Sequence, residues 1–184
     1  QTSQMTTRIL LSILIPTYNR GDQLRKLINH IDEIDFPSCE VLISNDGSTD
    51  DTKNILESLA DQYELQVYNQ SKNLGIPENL NFLYQRSSGE YIVYLHDHDL
   101  VHKRYFEYII NALDASGSQA GYSPVAPILD FHSNHVVADY KIIKGQRIRK
   151  DFMDSISFSC KINASAIFRR SLLKDLKRDV PFES

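Results

Sequence analysis

Short apolar runs alternate with amphipathic stripes along the first 115 residues. Ile9–Ile15 is an apolar run that ends in the turn-rich Pro16-Thr17-Tyr18-Asn19-Arg20-Gly21. Leu24, Leu27, Ile28, Ile31 and Ile34 then recur at helical spacing, predicting an amphipathic helix over 22–34 closed by Phe36-Pro37. Glu40–Ser44 is a second strand and Leu65–Tyr68 a third, with a helix carrying Ile55, Leu56 and Leu59 between them. Ser48 or Thr49 is the expected cap of that helix, and Asp50 and Asp51 suit its dipole. Pro77 opens a helix through about Ser87, Tyr91–Leu95 is a buried strand, and a helix runs from about Lys103 to Leu113. This βαβαβαβ order predicts an α/β fold with a doubly wound, mostly parallel sheet flanked by helices. Beyond Ser116 the pattern loosens. Tyr122–Leu129 and Val136–Ile143 read as strands, 146–155 as a short helix, Ser157–Phe168 as extended and Arg170–Lys177 as the start of a helix.

Open α/β sheets bind ligands beyond the carboxyl ends of their strands, so the polar residues at those ends carry the candidate chemistry. The strand at 91–95 runs into His96-Asp97-His98-Asp99. In an extended segment Asp97 and Asp99 point one way and the two histidines the other, a pair suited to a divalent cation that holds phosphate oxygens. A solvated loop is the plain alternative. Asp46, in Asn45-Asp46-Gly47-Ser48-Thr49-Asp50, reads from local features first as part of a turn and cap, and from its place at a strand's carboxyl end as an acceptor for a ring N–H of a base such as uracil. Pro16 to Arg20 is either a strand-to-helix turn or a place where Tyr18 lies along a planar base with Arg20 near an anion.

Composition narrows these readings. The 184 residues fit one domain over 8–184, with polar 1–7 disordered or left from cloning and Met5 a candidate start. A hydrophobic share of 41%, a charged share of 24% and a net charge of −4 describe an ordinary soluble chain and exclude a non-specific nucleic-acid binder. Cys39 and Cys160 form neither a disulfide framework nor a metal motif, which fits a reducing, cytoplasmic setting. No apolar run approaches the ~20 residues of a membrane span. The first strand carries no Gly-x-Gly-x-x-Gly and no Gly-Lys-Ser/Thr loop, which disfavours dehydrogenases and P-loop enzymes. His30, His102, His132 and His135 show no partner spacing.

Taken together, Leu11-Ser12-Ile13-Leu14-Ile15-Pro16-Thr17-Tyr18-Asn19-Arg20, Ile43-Ser44-Asn45-Asp46-Gly47-Ser48-Thr49-Asp50, Asn73-Leu74-Gly75 with Asn79, and Ser88-Gly89-Glu90-Tyr91 resemble family 2 inverting glycosyltransferases of the GT-A fold. The likeness covers roughly residues 8–115, and Ala166–Leu173 looks like the strand and helix such members carry further on. The Asn73 to Asn79 spacing is similar to abequosyltransferase-like enzymes of polysaccharide assembly. The resemblance implies a three-layer α/β/α GT-A domain that takes a nucleotide-diphosphate sugar, with uridine favoured. Pro16, Thr17, Tyr18, Arg20, Asp46, Asn79, His96 and Asp97 would meet that donor. Asp97, His98 and Asp99 would hold Mn²⁺ or Mg²⁺, with Mn²⁺ favoured if His98 is a ligand.

The same resemblance implies a glycan or lipid-linked sugar acceptor, at the inner face of a membrane if lipid-linked, and inversion at the anomeric carbon. Two departures stand out. The acidic Asp-x-Asp positions align with His96 and His98, shifting the acids by one, and the catalytic base is expected beyond Ser184. A degenerate nucleotide-sugar binder and a nucleotidyltransferase on a related fold are the alternatives.

Overall fold

In a computed structural model, which describes residues 9–34, 36, 38–97, 99, 104–118, 120–121 and 166–175, the alternation becomes a six-stranded sheet with helices on both faces. In chain order the elements are β1 (Leu11–Thr17), α1 (Gly21–Asp32), β2 (Cys39–Asn45), α2 (Thr52–Ala60), β3 (Leu65–Asn69) and α3 (Ile76–Arg86). They are followed by β4 (Tyr91–Tyr94), α4 (Tyr105–Ser116), β5 (Ala120–Gly121), β6 (Ile167–Arg169) and α5 (Arg170–Asp175). The sheet order is β3-β2-β1-β4-β6-β5. The first four strands pair in parallel, whereas β6 runs antiparallel to both β4 and β5. The predicted strands at 122–129 and 136–143, the helix at 146–155 and residues 157–165 lie outside the described residues. No described helix is long and apolar enough to cross a membrane.

Strand alternation sorts the core into two layers. Leu11, Ile13, Ile15, Val41, Ile43, Tyr91 and Val93 face α1, α2 and α4, packing on Leu24, Leu27, Ile28, Leu56, Leu59 and Phe106. Leu14, Leu42 and Ile92 face the other way, onto Leu83 of α3. Three layers result, as the resemblance implies. Helix α1 stops short of the predicted Ile34, where the N–H turns to the Ile31 carbonyl at 3.0 Å, an i→i−3 bond that tightens the last turn and leaves the i→i−4 ladder. The predicted run to Leu113 is α4, which continues to Ser116 and ends at Gly117 with φ of 65°.

At the amino ends of the strands a polar clamp holds the loop before β4. Glu40 Oε1 accepts from Ser12 Oγ at 2.6 Å, from the Ser88 N–H at 2.6 Å and from Ser88 Oγ at 3.0 Å, while its Oε2 accepts from Gln66 at 2.9 Å. Ser12 Oγ also accepts from the Gly89 N–H at 2.8 Å. From the far side Arg170 donates to the Gly89 carbonyl at 2.6 Å and to Ser87 Oγ at 2.9 Å. Its neighbour Arg169 pairs with Asp114 at 2.8 Å, and Tyr91 donates its phenol to the same carboxylate. Burial and the Asp114 bond push the Tyr91 phenol up to about 12.

Burial raises the Glu40 carboxyl, but the hydrogen bonds from Ser12, Ser88 and Gln66 outweigh it and hold the group below its ordinary 4.5. A carboxyl lowered in the folded state adds stability above its unfolded value and loses it as pH falls through the folded one. Glu40→Gln is therefore expected to flatten the decline of Tm on acidification below pH 4.5. Parallel acid limbs in the two proteins would show that Glu40 contributes nothing there.

Candidate functional site

The first strand runs two residues past its predicted end, so Pro16 and Thr17 lie inside β1 and are buried. The Leu14 carbonyl accepts from the Leu95 N–H, so by alternation the Pro16 nitrogen faces the β4 side, past the end of that ladder. Proline there removes no ladder bond. Tyr18 follows at 44% exposure, then Asn19 at φ of 54° and exposed Arg20. Asn19 is stitched to the next loop. Its N–H donates to Ser48 Oγ at 2.9 Å and its Oδ1 accepts from the Thr49 N–H at 2.8 Å. Ser48 and Thr49 are thus occupied by Asn19 and do not cap α2, which begins at Thr52 with its N–H on Asp50 Oδ1 at 3.0 Å. The Arg20 N–H donates to Thr52 Oγ1 at 3.1 Å.

Asp46 lies at the end of β2 and is 4% exposed. Its Oδ1 accepts from the Leu74 N–H at 2.7 Å and its Oδ2 from the Gly75 N–H at 3.0 Å. Beside it, Asn45 donates to Asn69 Oδ1 at 2.9 Å and accepts from the Ser48 N–H at 3.1 Å. Asn79, in the first turn of α3, is 1% exposed and donates to the Ser44 carbonyl at 3.1 Å. Its Oδ1 is buried and has no hydrogen-bond partner among the described residues.

The end of β4 departs from the expected extended geometry. Asp97 is 8% exposed and turns to β1, where its Oδ2 accepts from Thr17 Oγ1 at 3.0 Å. The chain then makes a turn: the Asp99 N–H donates to the His96 carbonyl at 3.0 Å, and Asp99 Oδ2 accepts from the His96 N–H at 2.8 Å and meets His96 Nδ1 at 3.1 Å. The Asp99 bond and the charges of Asp99 and Asp97 hold the His96 imidazole above its ordinary value, against burial. His98 lies outside the described residues. The extended reading that placed Asp97 and Asp99 side by side is therefore corrected. Two carboxylates and an imidazole are the right donor types for Mn²⁺; Asp97 Oδ2 is bonded to Thr17 and Asp99 Oδ2 to His96. No three metal-ligating side chains converge among the described residues, which do not include His98.

Thr17, Asp46 and Asp97, at the ends of three parallel strands, share one edge of the sheet and are buried. Tyr18, Arg20 and His96 stand exposed along it. The buried members tie loop to loop. Sequence reasoning missed Ser44 and Asn45 as tie points, and the Leu74 and Gly75 amides as partners of Asp46. Only the Asn19 tie had a local signal, since Asn tolerates positive φ more readily than most residues.

Residues 12–177 match the family described as Glycosyl transferase family 2. The chain belongs to that family. Among curated family 2 relatives it is 36% identical over 91 residues to the GalNAc(5)-diNAcBac-PP-undecaprenol beta-1,3-glucosyltransferase of Campylobacter jejuni, covering 48% of this chain and 29% of that protein. It is 30% identical over 95 residues to the poly(ribitol-phosphate) beta-N-acetylglucosaminyltransferase TarS of Staphylococcus aureus, covering 50% and 17%. The solved TarS 1-349 in complex with UDP-GlcNAc superposes with a TM-score of 0.68 at 21% identity, over 95% of this chain and 48% of that one. The mannosyltransferase PcManGT of Pyrobaculum calidifontis, solved with GDP-Man and Mn²⁺, gives 0.68 at 19% identity, over 93% and 47%. These superpositions establish the shared GT-A fold. The family 2 chain thus spans about half of each solved structure, and a third or less of these two curated relatives.

Proposed function

We propose that this chain is the donor-binding part of a glycosyltransferase that takes a nucleotide-diphosphate sugar, a UDP-sugar by preference, across the carboxyl ends of β1, β2 and β4. One observation carries the reading: in a family 2 chain, the ends of three parallel strands meet at one edge with an exposed aromatic and an exposed guanidinium beside them. Tyr18 lies along the base and Arg20 meets an anionic group. Pro16 and Thr17 form the floor, and Asn79 and Asp97 hold the walls. His96 stands exposed on the diphosphate side.

In the transfer, an acceptor hydroxyl oxygen forms the new bond to the anomeric carbon from the face opposite the diphosphate. The bond from that carbon to the diphosphate oxygen breaks, its electron pair leaves with the nucleotide, and the hydroxyl proton passes to a carboxylate base, inverting the centre. No described residue is assigned as that base. A cation held by Asp97, His98 and Asp99 would neutralise the charge that develops on the leaving diphosphate. The acceptor class is a growing glycan or a lipid-linked sugar, met at the cytoplasmic face of a membrane.

The test is thermal unfolding with UDP-, GDP-, CMP- and dTDP-sugars, each with and without Mn²⁺. A ligand at about a hundred times its Kd stabilises the folded state by about 2.7 kcal/mol, enough to read as a rise in Tm. UDP-sugars should raise Tm most. A chain that no nucleotide sugar stabilises is not a donor binder, and the reading fails. Hydrolysis of the bound UDP-sugar separates an enzyme from a binder without turnover.

A further inference from the structure

Toward their carboxyl ends β1 and β4 are tied by backbone as far as the Leu95 N–H, which donates to the Leu14 carbonyl at 3.0 Å. Beyond that bond Pro16 has no N–H to give. The register that sets Leu14 opposite Tyr94, carried on three positions, sets Thr17 opposite Asp97. There the tie passes to side chains, Thr17 Oγ1 donating to Asp97 Oδ2 at 3.0 Å. The two partners are held very differently. Thr17 is the last residue of β1, 3% exposed, with a β-branched side chain that has few rotamers open to it. Asp97 has already left β4, which ends at Tyr94, and lies inside the turn closed by the Asp99 N–H on the His96 carbonyl. Strand pairing therefore does not aim the Asp97 carboxylate, and the Thr17 hydroxyl does.

We propose that Thr17 is a positioning residue that acts through Asp97: its hydroxyl holds the carboxylate ready for the donor group that Asp97 meets. This rests on the reading of the edge as a nucleotide-sugar site. One hydroxyl on Oδ2 does not use up the carboxylate, whose two oxygens offer about four lone-pair sites. Without that bond the carboxylate samples several rotamers, and the ligand has to order it on arrival.

The test is a double-mutant cycle on UDP affinity, by titration calorimetry with Mn²⁺ present and folding checked by circular dichroism. Thr17→Val keeps the shape and removes the hydroxyl. It should weaken UDP roughly 2- to 12-fold, the cost of immobilising one side chain on binding. Thr17→Ser keeps the hydroxyl and should bind close to wild type. Asp97→Ala removes the group that Thr17 acts through, so adding Thr17→Val to it should cost nothing further. An equal loss from Thr17→Val in both backgrounds makes the hydroxyl a direct ligand contact or a general prop, and overturns the proposal. Wild-type affinity in folded Thr17→Val overturns it too. If Thr17→Val does not fold, Thr17→Ala takes its place in the cycle. If Asp97→Ala binds too weakly to titrate, the crystal structure of the Thr17 variant decides. A carboxylate kept in its wild-type position overturns the proposal, and a displaced one supports it. A wild type that binds neither UDP nor a UDP-sugar is a separate result: it removes the donor reading itself, and the inference falls with it.

Discussion

Gly89→Ala is expected to destabilise the chain by about 2–4 kcal/mol, near the upper end of what single overpacking substitutions cost. A Cβ on Gly89 would lie 2.6 Å from the Ser12 nitrogen, 2.7 Å from Ser12 Oγ and 2.8 Å from the Leu11 carbonyl carbon. Two of those three atoms are backbone of the central strand and cannot rotate away. The loop cannot retreat either without loss. Its N–H is on Ser12 Oγ and its carbonyl on Arg170, so movement lengthens bonds on both sides. Urea unfolding measures the effect, with Gly117→Ala as the comparison. Gly117 has open space around its Cβ position and only the strain of φ at 65°, worth roughly 1–2 kcal/mol for an L-residue. Equal losses at the two positions would show that the contact with β1 is not what makes Gly89 necessary.

Tyr18→Ala is expected to weaken UDP binding by roughly 5- to 150-fold, the equivalent of about 1–3 kcal/mol for an aromatic face stacked on a base. The ring is the exposed aromatic at the β1 end, and Tyr18→Phe should retain most of the affinity because the face is kept. Stability should change little in either variant, since a side chain 44% exposed contributes little to the core. Calorimetric Kd values decide the matter. An alanine variant that binds UDP as tightly as wild type would remove Tyr18 from the base pocket.

The parallel half of the sheet was legible in the sequence because each strand is a short apolar run bounded by turn residues, and each following helix shows its own stripe. The α1 stripe at Leu24, Leu27, Ile28 and Ile31 is the buried face observed. The antiparallel β6 was not legible as a sheet member. Ile167–Arg169 is three residues long, and pairing with β4 is decided by contacts far away in sequence.

Distance in sequence explains the misses at the site as well. Ser48 and Thr49 have the composition of helix caps, and only the approach of Asn19 from another loop diverts them. Asp97 and Asp99 would share a side in a straight strand; the Thr17 hydroxyl and the His96 amide turn them to different partners. The Glu40 clamp left no trace in the sequence, because Ser12 and Ser88 are unremarkable until the fold brings them to one carboxylate.

The position of β6 also constrains how the molecule is made. It sits between β4 and β5, and Arg170 reaches back 81 positions to the Gly89 carbonyl. A chain emerging from the ribosome can assemble β1 to β4 from near neighbours as they appear. It cannot cover the outer edge of β4 until residue 170 has been synthesised. For that interval the edge presents unpaired amides and carbonyls, the kind of surface that recruits other strands. Closing so long a loop is slow compared with local helix and strand pairing. The arrival of two consecutive arginines, Arg169 on Asp114 and Arg170 on Gly89, ends that exposure. The same pair that looks like static bracing in the finished fold is thus what closes the open edge of β4 as the chain is made.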